Sequence, residues 1–195
     1  MTKKRSCPPS TRDKIIKEAE NLFSKYNYNS VSLNDIALKN KITKAAFYYH
    51  FKSKEELFVE IIKKAHTNIS TKISEILNLD IILEEKFKKI IIASLDINLN
   101  SKYLTTLSLQ KLSKNDKNIT NFVCEFKDEM LNQIEPLMKE ILDSCGYPKD
   151  TDPKFIAFFL MSSLKGYSMQ RTCGNCNKWS NEQFANEIIK IIFRK

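Results

Sequence analysis

Turn formers are scarce in this chain, which has three glycines and five prolines among 195 residues. So few of them favours long regular elements joined by few tight corners. Period-two alternation is also missing. Apolar residues recur instead at helical spacing, as Ile15, Ile16, Ala19, Leu22, Phe23 and Tyr26 do, and the predicted fold class is all-α. No stretch of 18 or more apolar residues exists to span a bilayer, so no membrane partner is expected. The start, MTKKRSCPPSTRDK, is basic with no apolar run behind it, so no secretory signal is expected and the cytoplasm is the expected location. Five cysteines, an odd number spread from Cys7 to Cys176, suit reduced thiols there and do not suggest a disulfide framework. The chain also lacks a Ser/His/Asp set, a paired acid dyad, a phosphate loop and a nucleotide fingerprint, so neither an enzyme nor a cofactor is expected.

What is present is positive charge, unevenly placed. The formal net charge is +9, and residues 1–65 hold 14 Lys and Arg against 7 Asp and Glu, while the remainder holds 18 against 16. A lysine-rich face alone is weak evidence, but coincidence with a DNA-binding motif strengthens both signals. The stretch Val31 to Phe58, VSLNDIALKNKITKAAFYYHFKSKEELF, supplies that motif. Ser32 is a good N-cap with Asp35 three residues on, and Ile36 and Ala37 give an apolar side on which another helix can close. Asn40-Lys41 breaks the pattern, and Thr43 caps a second short helix. There Phe47 and Phe51 share one face while Lys44, Tyr48 and Lys52 fall on another. One face packs and the other is free to meet phosphate.

At these residues the chain resembles the tetracycline-repressor (TetR) family of bacterial transcriptional regulators. The family pattern runs from a small-apolar IA through a turn to S/T-K-x-x-x-Y-x-x-F-x-S-K-E-E-L; here it reads Asp35-Ile36-Ala37, then Thr43 through Leu57, TKAAFYYHFKSKEEL. The resemblance covers residues 10–60 by motif and the rest by length and helical character. The family often has glycine where Asn27, Lys41 and Ala45 stand. Asn tolerates left-handed backbone angles, whereas Lys41 is expected to need a different turn geometry or some strain. The implied architecture is an N-terminal three-helix helix-turn-helix domain with a basic arm, residues 1–52, and a C-terminal helical ligand-binding and dimerisation domain, residues 53–195. The implied DNA-facing set is Ser32, Thr43, Lys44, Ala45, Ala46, Tyr48, Tyr49, His50 and Lys54. Lys44, Tyr48 and Lys54 are assigned to phosphate, and Ala46 to a thymine methyl.

Beyond this head, Ser53 with Glu56 predicts a capping box opening a long helix to about Leu79. Further helices are predicted over 80–98, 102–113, 116–144, 152–172 and 180–194, with Cys145-Gly146-Tyr147-Pro148 as a clear stop. The last two helices are too apolar for open water, and the resemblance implies that they meet their counterparts in a homodimer on a palindromic operator. It also implies a ligand cavity among the helices after Ser53, with candidate lining residues Tyr103, Leu107, Gln110, Phe122, Phe126, Met130, Phe159 and Met161. Their aromatic and sulfur content favours a hydrophobic or flat aromatic effector. The expected function is therefore a ligand-responsive repressor. Cys173-Gly174-Asn175-Cys176 offers an alternative, a thiol-based redox-sensing regulator; no second Cys/His pair lies nearby, so no metal site is expected. A thiol oxidoreductase would want a strand before that pair, and a plain helical interaction module would not need the basic head.

Overall fold

A computed structural model describes residues 10–26, 28–100, 117–172 and 178–194, and all regular structure among them is helical. In chain order these are α1 (Thr11–Lys25), a 3-10 turn (Tyr28–Ser30), α2 (Leu33–Lys39), α3 (Lys44–His50), α4 (Lys54–Leu77), α5 (Leu83–Asn100), α6 (Lys117–Ser144), α7 (Pro153–Thr172) and α8 (Asn181–Phe193). The expected basic arm, the predicted 102–113 helix, Asn27 and the pair Cys173/Cys176 lie outside the described residues. Among those residues no helix is long and apolar enough to cross a membrane.

Side-chain oxygens set the helix starts. Ser10 and Ser32 each accept from the backbone N–H three residues on, and Asp13 and Asp35 reach back to the cap backbone, completing two capping boxes. Hydrogen bonds from the Ser32 hydroxyl and backbone N–H hold the Asp35 carboxyl below the usual aspartate range. The box expected at Ser53 is only half formed. Its hydroxyl accepts from the Glu56 N–H, but the Glu56 carboxylate accepts from the Lys52 N–H at 2.6 Å, one residue further out.

Two helix ends use the same backbone solution with different residues. At the end of α6, Tyr147 N–H bonds Leu142 C=O and Gly146 N–H bonds Asp143 C=O, with Gly146 left-handed at φ 66°. At the end of α2, Ile42 N–H bonds Ala37 C=O and Lys41 N–H bonds Leu38 C=O, and Lys41 takes the left-handed position at φ 55°. The strain expected at Lys41 is therefore present.

Two apolar cores are strung on α4. Leu57, Phe58, Ile61, Ile62 and Ala65 pack with Ile15, Ile16, Ala19 and Phe23 of α1, and with Ile36, Phe47 and Phe51. Phe23, Tyr28 and Phe58 cluster there with ring centroids 4.5 to 5.7 Å apart. From Ile69 onward α4 belongs to a second core with Phe87, Ile91 and Leu95 of α5, Ile134, Met138 and Ile141 of α6, Leu160 and Leu164 of α7, and Ile189 and Ile192 of α8. The 52/53 division marks the start of α4, whereas the packing itself changes partner between Ala65 and Ile69.

A side chain in the left-handed region costs roughly 1–2 kcal/mol, partly offset in glycine by its larger loss of backbone freedom. Lys41→Gly is accordingly expected to stabilise the protein by about 0.5–1 kcal/mol. Chemical denaturation would check it, and an unchanged or lower midpoint would show that no strain is stored there.

Candidate nucleic-acid interface

The second helix of the helix-turn-helix is short, and its inner face decides where its outer face points. Phe47 and Phe51 are buried on the head core. Burial of each is worth about 1.5–3 kcal/mol, so they fix the rotation of α3 about its axis. The opposite side then presents a continuous exposed rim of Thr43, Lys44, Ala45, Tyr48 and Tyr49, with Ala46 and His50 half-buried at its edges. Tyr49 is 87% exposed and Tyr48 47%. Rings this size stand in water at some cost unless something covers them. Tyr49 meets His50 edge-on at 5.1 Å and Tyr48 meets Phe47 edge-on at 6.0 Å, so both rest against ring neighbours.

Thr43 divides its duties. Its hydroxyl caps α3 by accepting from the Ala46 N–H at 3.1 Å, and the residue remains exposed. Ser32 is exposed as well, but its hydroxyl donates to Asp35 at 2.7 Å and accepts from the Asp35 N–H. Its geometry is accounted for by the cap of α2.

Lys54 is placed differently from the rim residues. Its ammonium turns inward, donating to the carbonyls of Tyr28 at 2.9 Å and Val31 at 3.0 Å, and lies 4.1 Å from the centre of the Tyr28 ring. Two hydrogen bonds and a ring contact thus tie the ammonium to the turn that leads into α2. A signal for this existed in the sequence. A cation at the first position of a helix opposes the helix dipole, so its presence there calls for a local anionic or carbonyl partner. Arg12 was not foreseen at all. Its guanidinium stacks 4.8 Å over the Phe51 ring and pairs with Glu60 at 3.2 Å, tying α1 to the end of α3 and to α4. Both ends of that pair are only half-buried, so solvent screens it and it orients more than it stabilises.

Of the ligand-lining residues expected for the C-terminal part, five are described, and they fall in three places. Met130 is buried in the second core, and Phe126 and Met161 pack against it. Phe159 is 57% exposed on the outside of α7, because its position on the helix is opposite Ala157, Leu160 and Leu164. Phe122 packs against the head core instead. Tyr103, Leu107 and Gln110 fall outside the described residues.

Residues 15–61 match the family described as bacterial regulatory proteins, tetR family. The chain is 44% identical over 52 residues to the biofilm operon icaADBC HTH-type negative transcriptional regulator IcaR of Staphylococcus aureus; the match spans 27% of this chain and 28% of that regulator. Solved structures extend the likeness to the whole fold. A Clostridium perfringens protein provisionally described as a fatty acid metabolism regulator is 26% identical, with a TM-score of 0.73 over 93% of this chain and 97% of the other. The transcriptional regulator FadR of Bacillus subtilis, solved with stearoyl-CoA, gives a TM-score of 0.77 at 14% identity over 92% and 96% of the two chains.

The inward ammonium predicts the behaviour of a substitution. Hydrogen bonds from a charged donor contribute about 1.5–3 kcal/mol, so Lys54→Met should lower the stability of the head by about that amount. The dependence of DNA affinity on salt should stay that of the parent. Thermal unfolding and a salt titration check the two halves, and a flatter salt dependence for the variant would restore Lys54 to the interface.

Proposed function

Since residues 15–61 carry the head of the tetR family of bacterial regulatory proteins, we propose that this chain is a DNA-binding transcriptional regulator, a repressor that grips a palindromic operator as a homodimer and releases it on binding a small effector. The observation that carries the reading is the rim of Thr43, Lys44, Tyr48 and Tyr49 held outward by the buried Phe47 and Phe51. A lysine and hydroxyls can pair with phosphates, and the tyrosine rings can lie against the sugar and base edges of a groove. The excess positive charge of residues 1–65 would draw the head toward DNA.

The dimer rests on α7 and α8. Phe155, Phe158 and Phe159, each more than half exposed, share one side of α7, and Ile191 is 67% exposed on α8. A patch of this kind is unfavourable in water, and a second copy with the same patch buries both. Twofold pairing would also present two heads to two half-sites. For the effector, the apolar second core and the fold likeness to a regulator bound to stearoyl-CoA support an acyl thioester with a long apolar tail.

Mobility shift with DNA from upstream of the coding sequence tests DNA binding directly. Removing one phosphate contact lowers the slope of log affinity against log salt by about one, so Lys44→Ala should bind more weakly and with that shallower slope. An unaltered slope would remove Lys44 from the interface. Phe158→Glu should convert a dimer mass into a monomer mass by light scattering. A parent chain that is already monomeric at micromolar concentration would end the dimer reading.

A further inference from the structure

We infer that Phe122 is a positioning residue for the DNA-binding head: carried by α6, it packs into the head core, fixes the angle of the head on α4 and so sets the half-site separation that a pair of heads accepts. This rests on the reading of the chain as a dimeric DNA-binding regulator.

Three pairs of contacts run in step along α4 and α6. Lys63 holds its ammonium 5.4 Å from the centre of the Phe122 ring. His66 meets Phe126 edge-on at 4.0 Å, and its Nε2 lies 3.4 Å from Glu129. Ser70 and Ser74 meet Gln133, which donates to Ser70 C=O at 2.9 Å and to Ser74 Oγ at 2.8 Å while accepting from Ser70 Oγ at 3.1 Å. Residue numbers rise together on both helices, so the two run parallel. The spacings 63, 66, 70, 74 and 122, 126, 129, 133 keep one stripe of each against the other. From Lys63 to Ser74 this seam is about 16 Å long.

The seam crosses the place where α4 leaves one core for the other, between Ala65 and Ile69. Gln133 grips the far side of that place and Phe122 reaches the near side. Among the described residues Phe122 is the one apolar side chain from beyond α4 that packs against the head core. Without it the head would be held to the rest through α4 alone. That helix has no proline or glycine from Lys54 to Leu77, so it can bend smoothly but has no sharp hinge. A smooth bend accumulates over its length, and a side contact at the end of the bend is what gives it one value. Burial holds His66 below the usual imidazole range, with Glu129 working the other way. The middle of the seam is thus a largely uncharged ring pair at neutral pH, between the hydrogen-bonded Gln133 at one end and the Phe122 ring at the other.

A structural role alone would cost stability, whereas a positioning role also alters which DNA is accepted. The parent protein would first select a bound duplex from a random pool, and that duplex would then be remade with one base pair added or removed between its half-sites. The parent is expected to lose at least about ten-fold affinity on each altered duplex. Phe122→Ala should discriminate among the three by less than about three-fold, at parent dimer mass and parent salt slope, and Phe122→Tyr should restore discrimination. Should the alanine variant fail to fold, Phe122→Leu, which keeps most of the apolar bulk, should show a partial loss. Parent-like discrimination in whichever of these two variants folds overturns the inference while leaving DNA binding intact. A parent that selects no duplex overturns the regulator reading and this inference with it.

Discussion

The rest of the molecule depends on one continuous helix buried at both ends in different company. The first half of α4 gives Leu57, Phe58, Ile61 and Ile62 to the head, and its second half gives Ile69, Ile73 and Ile76 to the C-terminal core. Neither core is complete without its share of these residues. Each apolar side chain so buried contributes about 1.5–3 kcal/mol, so separating the two parts at residue 52/53 would strip the head of its floor. The head is an elaboration of the start of α4 more than an independent unit, and its orientation is inherited from that helix.

Within the head, order passes from the inside outward. Phe47 and Phe51 set the rotation of α3, Arg12 lies across Phe51, and Lys54 draws the Tyr28–Val31 turn against the start of α4. Every one of these contacts lies behind the exposed rim. The rim residues themselves make few contacts, which suits side chains that must exchange water for phosphate and base edges. Lys41 adds a contrasting detail, because its left-handed backbone keeps the corner between α2 and α3 tight at a cost that glycine would avoid. Nothing among the described contacts repays that cost.

How much of this was legible in the sequence varied with how local the determining physics is. Caps at Ser10, Ser32, Thr43 and Ser180, the stop at Gly146 and the split of α3 into a packed and an open face all follow from interactions within a few residues, and each was readable or nearly so. The inward turn of Lys54 was only partly legible, because a motif position tells where a residue stands and not which way a long flexible side chain turns. The Tyr28 and Val31 carbonyls that hold it are 26 and 23 residues away. Phe122, Phe126 and Phe159 looked alike as aromatic residues on apolar helices. They ended up in the head core, the inter-helix seam and the outer surface, since periodicity gives a face and not the neighbour of that face. Recognition of Gln133 as a clamp would have required knowing that α4 and α6 run side by side.

That clamp has a consequence for how the protein can move. Gln133 has both halves of its amide engaged, and the flanking positions Met130, Leu131 and Ile134 are buried and apolar. Sliding α6 by a fraction of a turn would break these bonds at a half-exposed site where water can replace them, at about 0.5–1.5 kcal/mol for each. Sliding by a full turn would put Glu129 or Leu137 where Gln133 stands, and neither can both donate and accept there. That coordinate therefore has one favoured register and no equivalent well a turn away. A signal carried through the seam would tilt or turn α6 about Gln133 instead of stepping it along α4.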